Sequence, residues 1–484
     1  MTKHSCLISS VCVFALLIAA SCSTLYPRVD NRGQPQYEYV YDVPEETGDG
    51  WETSSLDAEG VDPERINELI RRILNKDFKN IHSVLLVKNG KLVLEEYFYG
   101  YNRDKKHQLR SATKSVTSIL VGIAKDQKRI TSVNQKLYEF FPEYDGIDWS
   151  APKNKITLKH MLTMTAGLDW NEWTYPDNDP RSTIYWMARS DDWIEFVLTR
   201  KIVHSPGEIF NYSSGLSLVL GAILKNKTGL YANAYAEKYL FGPLGISEFS
   251  WQQGPNGMVY TSGGEKGLWL RPRDMAKIGL LYINNGNWKG RQIVSSEWVH
   301  ESIMPHVNAF FAGSEYGYQW WQGEKTIDNK TISVFYAAGH GGQYIFVCPS
   351  LDLVAVFTSK VYGNPLGVAR PQIMMADHII PANLSPLPPK KKLESQPKLK
   401  NEYTGEYESK RLRVKLKIFE DGNGLSCKVF RERTQMFYES ENKFFGTLKN
   451  IGDVQFKFNR NEAGRVDKII TKIGFAILQF EKIE

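Results

Sequence analysis

Ser111-Ala112-Thr113-Lys114 sets a hydroxyl and an amine three residues apart, the spacing that puts both on one face of a helix. The residues that follow support a helix, because Val116, Ile119, Leu120 and Ile123 recur at i, i+3, i+4 and i+7. At about 100° per residue, Ser111, Lys114, Ser115 and Ser118 fall on the opposite face. A lysine held beside a serine where water is scarce is driven toward its neutral form and accepts the hydroxyl proton. The chemistry this pair would support is acyl transfer through a covalent serine. Four residues carry little alone. Ser395 with Lys398 and Ser440 with Lys443 repeat the spacing, and neither pair opens an apolar-periodic helix. A solvated helix N-terminus is the plain structural alternative for Ser111 and Lys114.

Two downstream segments add to the pair. His204-Ser205-Pro206-Gly207-Glu208-Ile209-Phe210-Asn211-Tyr212-Ser213-Ser214 is turn-rich and precedes a helical stripe, which places the Tyr212 phenol at a helix mouth. A tyrosine near a cation gives up its proton more readily and relays protons for a serine. Ala338-Gly339-His340-Gly341-Gly342-Gln343 leads into a strand. Glycines there let a substrate approach the backbone, where a free N–H stabilises an oxyanion.

The elements that must position these groups are legible in outline. Asp62-Pro63 supplies an N-cap and a proline at the first helical position, opening a helix to about Asn75. Residues 83–88, then Asn89-Gly90, then 91–99 predict a β-hairpin. Residues 157–245 read as mostly helical with aromatic-rich loops; Leu216, Val219, Leu220, Ile223 and Leu224 form a stripe ending near Gly229. Short β runs follow at 331–336, 343–347 and 353–359. Strands at both ends with helices between predict an α+β domain with an antiparallel sheet. Residues 23–56 read as an N-terminal tether and 383–400 as a Pro/Lys-rich linker. Residues 401–484, with runs at 412–419, 454–458 and 466–473, read as a small all-β module.

Ser-x-x-Lys, Tyr-x-Ser after a Pro-Gly-x-x-Phe lead-in, and His-Gly-Gly together resemble the class C β-lactamase and penicillin-binding serine hydrolases. Within them the chain is most similar to the esterase and amidase branch, which includes the family VIII carboxylesterases and 6-aminohexanoate-dimer hydrolases. The resemblance runs over about 57–382 and takes in Gly267-Leu268-Trp269-Leu270-Arg271-Pro272-Arg273-Asp274 and Gly290-Arg291-Gln292-Ile293-Val294. It implies a β-lactamase/transpeptidase-like fold, an antiparallel sheet with a helical subdomain. The C-terminal module resembles the lipocalin-like β domain that trails such hydrolases. Carried over, Ser111 is the acylating nucleophile, Lys114 its proton partner, and Tyr212 the acid or base serving attack and leaving group. The backbone N–H groups of Ser111 and Gln343 would form the oxyanion hole.

Two positions depart from that pattern. The second motif usually ends in Asn where this chain has Ser214, which reads either as a substrate contact or as an N-cap of the next helix. The third is usually Lys-Thr-Gly, and here it is His340-Gly341-Gly342. Histidine is mostly neutral at pH 7, so uncharged esters or amides are expected as better substrates than anionic β-lactams or D-Ala-D-Ala ends.

Composition limits the other classes. The net charge of +6 is modest, and five lysines against one glutamate at 390–400 account for most of it, so no folded basic face suggests nucleic acid. An apolar run at 7–20 after Lys3 and His4 is too short for a permanent span and reads as a targeting segment. It ends Ala19-Ala20-Ser21-Cys22, similar to a bacterial lipobox with Ala19 in the usual leucine position, so export and lipidation of Cys22 are expected, with a plain cleaved signal as the alternative. Cys348 and Cys427 fall in different predicted domains, which predicts no disulfide framework. Neither a cofactor nor a metal is expected; His300-Glu301 and His306 have the wrong spacing for zinc. The partners expected are a small-molecule or peptide acyl substrate and, through the anchor, a membrane. The alternatives are a D-Ala-D-Ala carboxypeptidase or β-lactamase, and a non-catalytic lipoprotein that binds an acyl or cell-wall ligand.

Overall fold

The computed structural model describes residues 39–254, 257–309, 314–327, 329–362, 369–384, 401–410, 414–422, 424–430, 432–448 and 452–483. The targeting run, Cys22 and residues 385–400 of the linker lie outside the described residues.

An antiparallel sheet of eight strands backs the helical middle of the chain. From edge to edge it runs Lys91–Tyr97, Ile81–Lys88, Leu353–Ser359, Gln343–Cys348, Lys330–Gly339, Trp321–Ile327, Glu315–Tyr316 and Val307–Asn308. The N-terminal hairpin turns through Asn89 and Gly90, both at positive φ (51° and 79°), the geometry a tight two-residue turn needs. Ile81–Lys88 then pairs with Leu353–Ser359, so strands from the two ends of the domain close the sheet around the helical middle. Successive side chains alternate across it. Leu85, Val87, Ile345 and Val356 face the core shared with the helices, while Val84, Leu86, Phe346 and Ala355 face a second core on the other side.

The helical middle contains Leu158–Leu162, Thr183–Met187, Trp193–Leu198 and Ser214–Thr228. The helix Thr113–Asp126 is buried all round from Thr113 to Ala124, rather than apolar on one face and wet on the other. Its polar side is used inside the fold. Ser115 Oγ donates to the Gln319 carbonyl (2.7 Å), and Thr117 Oγ1 donates to the Thr261 carbonyl (2.9 Å). Gln319 also accepts from Ser217 Oγ (2.7 Å) and donates through Nε2 to the Leu162 carbonyl (2.8 Å). One buried glutamine, through its side chain and its carbonyl, thus ties three helices together and pairs polar groups that would be costly to bury alone.

Residues 39–56, expected as part of a tether, pack onto the sheet. Leu92 N–H donates to the Glu52 carbonyl (2.9 Å), and Tyr41 Oη donates to the Val93 carbonyl (2.9 Å). Trp51 and Leu56 are buried. Isolated apolar anchors carry no period, so this docking has no signature in the sequence.

The C-terminal module is a nine-stranded antiparallel sheet whose edges, Glu432–Gln435 and Phe437–Ser440, are separated in the chain only by buried Met436. The sheet therefore curls into a nearly closed barrel filled by residues such as Tyr407, Leu416, Phe444, Phe456 and Ile469. Its Phe475 stacks on Tyr336 (ring centroids 6.2 Å apart), on the sheet face turned away from the Thr113–Asp126 helix. Cys348 and Cys427 are both free and buried. Among the described residues, no helix is long and apolar enough to cross a membrane.

Candidate active site

Ser111 sits in a short 3-10 turn, Arg110–Ala112, immediately before the helix that carries Lys114. Arg110 holds a left-handed φ of 51°, uncommon for a residue with a Cβ, and so the turn is sharp. Gly263 makes that turn possible. It has φ of 98°, and a Cβ there would lie 2.2 Å from the Arg110 carbonyl oxygen and 2.9 Å from Ser111 N. Gly263→Ala is therefore expected to displace the turn and lower kcat by about 100-fold, the cost of a small misplacement of a reacting group. Ester turnover measured beside a melting curve separates that loss from general unfolding.

Lys114 is 1% exposed. Its Nζ donates to Ser111 Oγ (3.2 Å), to Ser214 Oγ (3.1 Å) and to the Ser262 carbonyl (2.6 Å). The amine thus meets two hydroxyls and a carbonyl. The same Nζ lies 4.9 Å from the centroid of the Tyr212 ring, a cation–π contact. Tyr212 is buried and stacks on Trp321 (5.9 Å), with Trp173 against it edge-on (5.6 Å). Ser111, Lys114 and Tyr212, far apart in the chain, are thus brought together around one amine.

Ser214 does not cap its helix. Ser213 does, its hydroxyl accepting from Leu216 N–H (3.3 Å). Ser214 is the first helical residue, and its hydroxyl turns inward, donating to Glu172 Oε1 (2.9 Å). Glu172 Oε2 accepts from the backbone N–H of Ser214 (2.6 Å) and from Trp170 Nε1 (2.6 Å). A carboxylate at this helix N-terminus satisfies an orphan N–H and meets the positive end of the dipole. Burial raises the Glu172 carboxyl above its ordinary value, against the pull of Lys114 and the three hydrogen bonds. Glu172, Ser262 and Gln319 were not legible as site residues. For Glu172 the available signal was a lone carboxylate between Trp170 and Trp173; the other two are brought in by folding alone.

The His340-Gly341-Gly342 turn joins Lys330–Gly339 to Gln343–Cys348, with Gly339 opposite Gln343. It lies against the nucleophile's turn, since a Cβ at Gly339 would come 2.1 Å from the Leu109 carbonyl oxygen. The Gln343 side chain is spent inside the fold, donating to the Ser359 carbonyl (2.6 Å) and accepting from Ser359 N–H (3.1 Å). Its side chain is therefore committed to the fold rather than to a substrate. The His340 ring packs against Tyr362 (5.1 Å), and the Arg110 guanidinium lies over the other ring partner of that cluster, 5.1 Å from the Tyr362 centroid. Burial, then Arg110, lowers the His340 pKa, with Asp177 opposing, so the ring is neutral at pH 7.

With this geometry in view, the Beta-lactamase family profile matches residues 80–376. The 6-aminohexanoate-dimer hydrolase of Paenarthrobacter ureafaciens is 29% identical over 299 residues, 57% of this chain and 71% of that protein. The fold is shared with an octameric penicillin-binding protein homologue from Pyrococcus abyssi, at TM-score 0.52 and 16% identity over 86% of this chain and 99% of that one. It is also shared with EstCE1, a hydrolase with promiscuous acyltransferase activity, at TM-score 0.51 and 14% identity over 67% of this chain and 99% of that one.

Proposed function

The chain belongs to the beta-lactamase family, and from that premise we propose that it is an exported serine hydrolase cleaving an ester or amide bond through an acyl-serine intermediate on Ser111. The observation that carries this reading is the Lys114 amine, buried between Ser111 Oγ and the Tyr212 ring. In the proposal Lys114 takes the Ser111 proton as Oγ attacks the acyl carbon. Tyr212 serves the leaving group, and the N–H groups of Ser111 and Gln343 bind the oxyanion. Water then cleaves the acyl-serine. Export and anchoring through Cys22 rest on the sequence of the first 22 residues.

The direct test is intact mass of the purified protein after brief exposure to p-nitrophenyl butyrate or a fluorophosphonate. An adduct on wild type that is absent from Ser111→Ala supports the acyl-serine route. No adduct and no turnover with esters, amides or β-lactams supports the ligand-binding reading instead.

Arg110, which also pairs with Glu265 (3.2 Å), favours a second reading, a carboxypeptidase or β-lactamase, because it puts a cation beside His340. His340→Lys adds a charge at the position the family usually fills with lysine. It is expected to raise kcat/KM for carboxylate-bearing over neutral esters by about tenfold, the worth of one charge-assisted hydrogen bond. An unchanged ratio removes His340 from the substrate site.

A further inference from the structure

The acyl-serine reading needs Lys114 as a neutral amine when it takes the Ser111 proton. A continuous path leads away from it. Lys114 Nζ is 3.1 Å from Ser214 Oγ, and Ser214 Oγ is 2.9 Å from Glu172 Oε1. The hydroxyl accepts on one side and donates on the other, as a relay requires. Glu172 Oε2 is held by two N–H donors at 2.6 Å, which leaves Oε1 as the oxygen turned to the relay.

Resting on the acyl-serine reading, we infer that Glu172 takes the surplus proton of Lys114 through the Ser214 hydroxyl, leaving a neutral amine to accept the Ser111 proton. One N–H bond of Lys114 breaks as an O–H bond forms on Ser214, and the original Ser214 O–H bond breaks as one forms on Glu172. The ammonium–carboxylate pair becomes an amine–carboxylic acid pair, with no change in proton count, net charge or electrons. Glu172 touches no substrate and acts through Lys114.

The surroundings suit this exchange. Burial raises the Glu172 carboxyl, which favours its protonated form. The titratable groups facing the path from the neighbouring elements are Tyr212 and Tyr316. Burial, with Tyr212 and Glu172 nearby, pushes the Tyr316 phenol well above its ordinary range, so it stays neutral. The departure at Ser214 gains a reason as well. The asparagine usual at this position has no hydroxyl to accept one proton while giving up another.

Because the neutral amine forms at constant proton count, wild-type kcat/KM for p-nitrophenyl butyrate is expected to stay flat from about pH 6 to about pH 9. In Glu172→Gln the surplus proton must leave to solvent. The rate then climbs by about tenfold per pH unit over that range. Ser214→Ala keeps the carboxylate and so keeps the flat profile, because the amine–acid balance at fixed proton count does not depend on the path; its rate falls by about tenfold as the relay hydroxyl is lost. Ser214→Thr restores the hydroxyl and recovers the rate. Glu172→Ala removes the carboxylate by a second route and is expected to show the climb even if Glu172→Gln does not fold. A merely structural role lowers the rate evenly and leaves the profile's shape alone; that outcome in the Glu172 variants overturns the relay while the acyl-serine reading stands. Equal turnover by wild type and Ser111→Ala overturns both.

Discussion

Ser111→Ala is expected to abolish turnover, with a loss on the order of a million-fold in kcat and an unchanged melting curve. In the proposed mechanism Lys114, Tyr212 and the oxyanion donors act on the Ser111 oxygen or on what it becomes, and Glu172 acts through Lys114. Lys114 donates to it in the resting state, and the Gly339–Gln343 turn lies against the segment that carries it. Without that oxygen no acyl bond forms, and what remains is binding and an oxyanion site acting on water. The side chain lost is small and partly exposed, so folding is little affected. Stopped-flow release of p-nitrophenol, read beside differential scanning calorimetry, checks both halves. Retained activity with an unchanged melting curve would sink the assignment.

Lys114→Ala and Tyr212→Phe carry the next largest effects, each expected to lower kcat by about a thousand-fold or more. Lys114 is the sole amine within reach of Ser111 Oγ among the described contacts, and it sits over the Tyr212 ring. The two work on the same proton. The double variant should therefore cost little more than the worse single variant, because groups that act as a unit are not additive. Lys114→Ala also leaves Glu172 without its cation, which pushes its carboxyl further above its ordinary value. Tyr212→Phe keeps the ring that packs on Trp321, so its loss reports the hydroxyl alone. Independent, multiplying losses in the double variant would separate the roles assigned to the two residues.

The fold was legible where a local pattern had a local cause. Asp62-Pro63 opens the Pro63–Leu74 helix, with Asp62 Oδ1 accepting from Glu64 N–H (3.0 Å), and Gly229 at φ of 77° ends the Ser214–Thr228 helix. The 353–359 strand runs as expected. The expectations that differed were those in which tertiary burial overrode a pattern. Ser115 and Ser118, placed on the face opposite the apolar stripe, are buried too, because a second layer of helices covers the Thr113–Asp126 helix. Residues 39–56 looked like a tether and dock through single aromatic anchors that leave no period.

At the site, the sequence by itself pointed to the kind of chemistry proposed. Ser111 and Lys114 are bound to meet once their segment turns into a helix, because three residues is a property of the backbone. Three spaced motifs carried the resemblance to the family, and the family match over 80–376 bears it out. Only the tertiary structure decided which groups surround the amine. Glu172, Ser214 and Ser262 lie 58, 100 and 148 residues beyond Lys114, and they meet it because the sheet and helices close around it. Whether a buried amine keeps or sheds its proton depends on charges and hydrogen bonds supplied across such distances, and no local spacing encodes them.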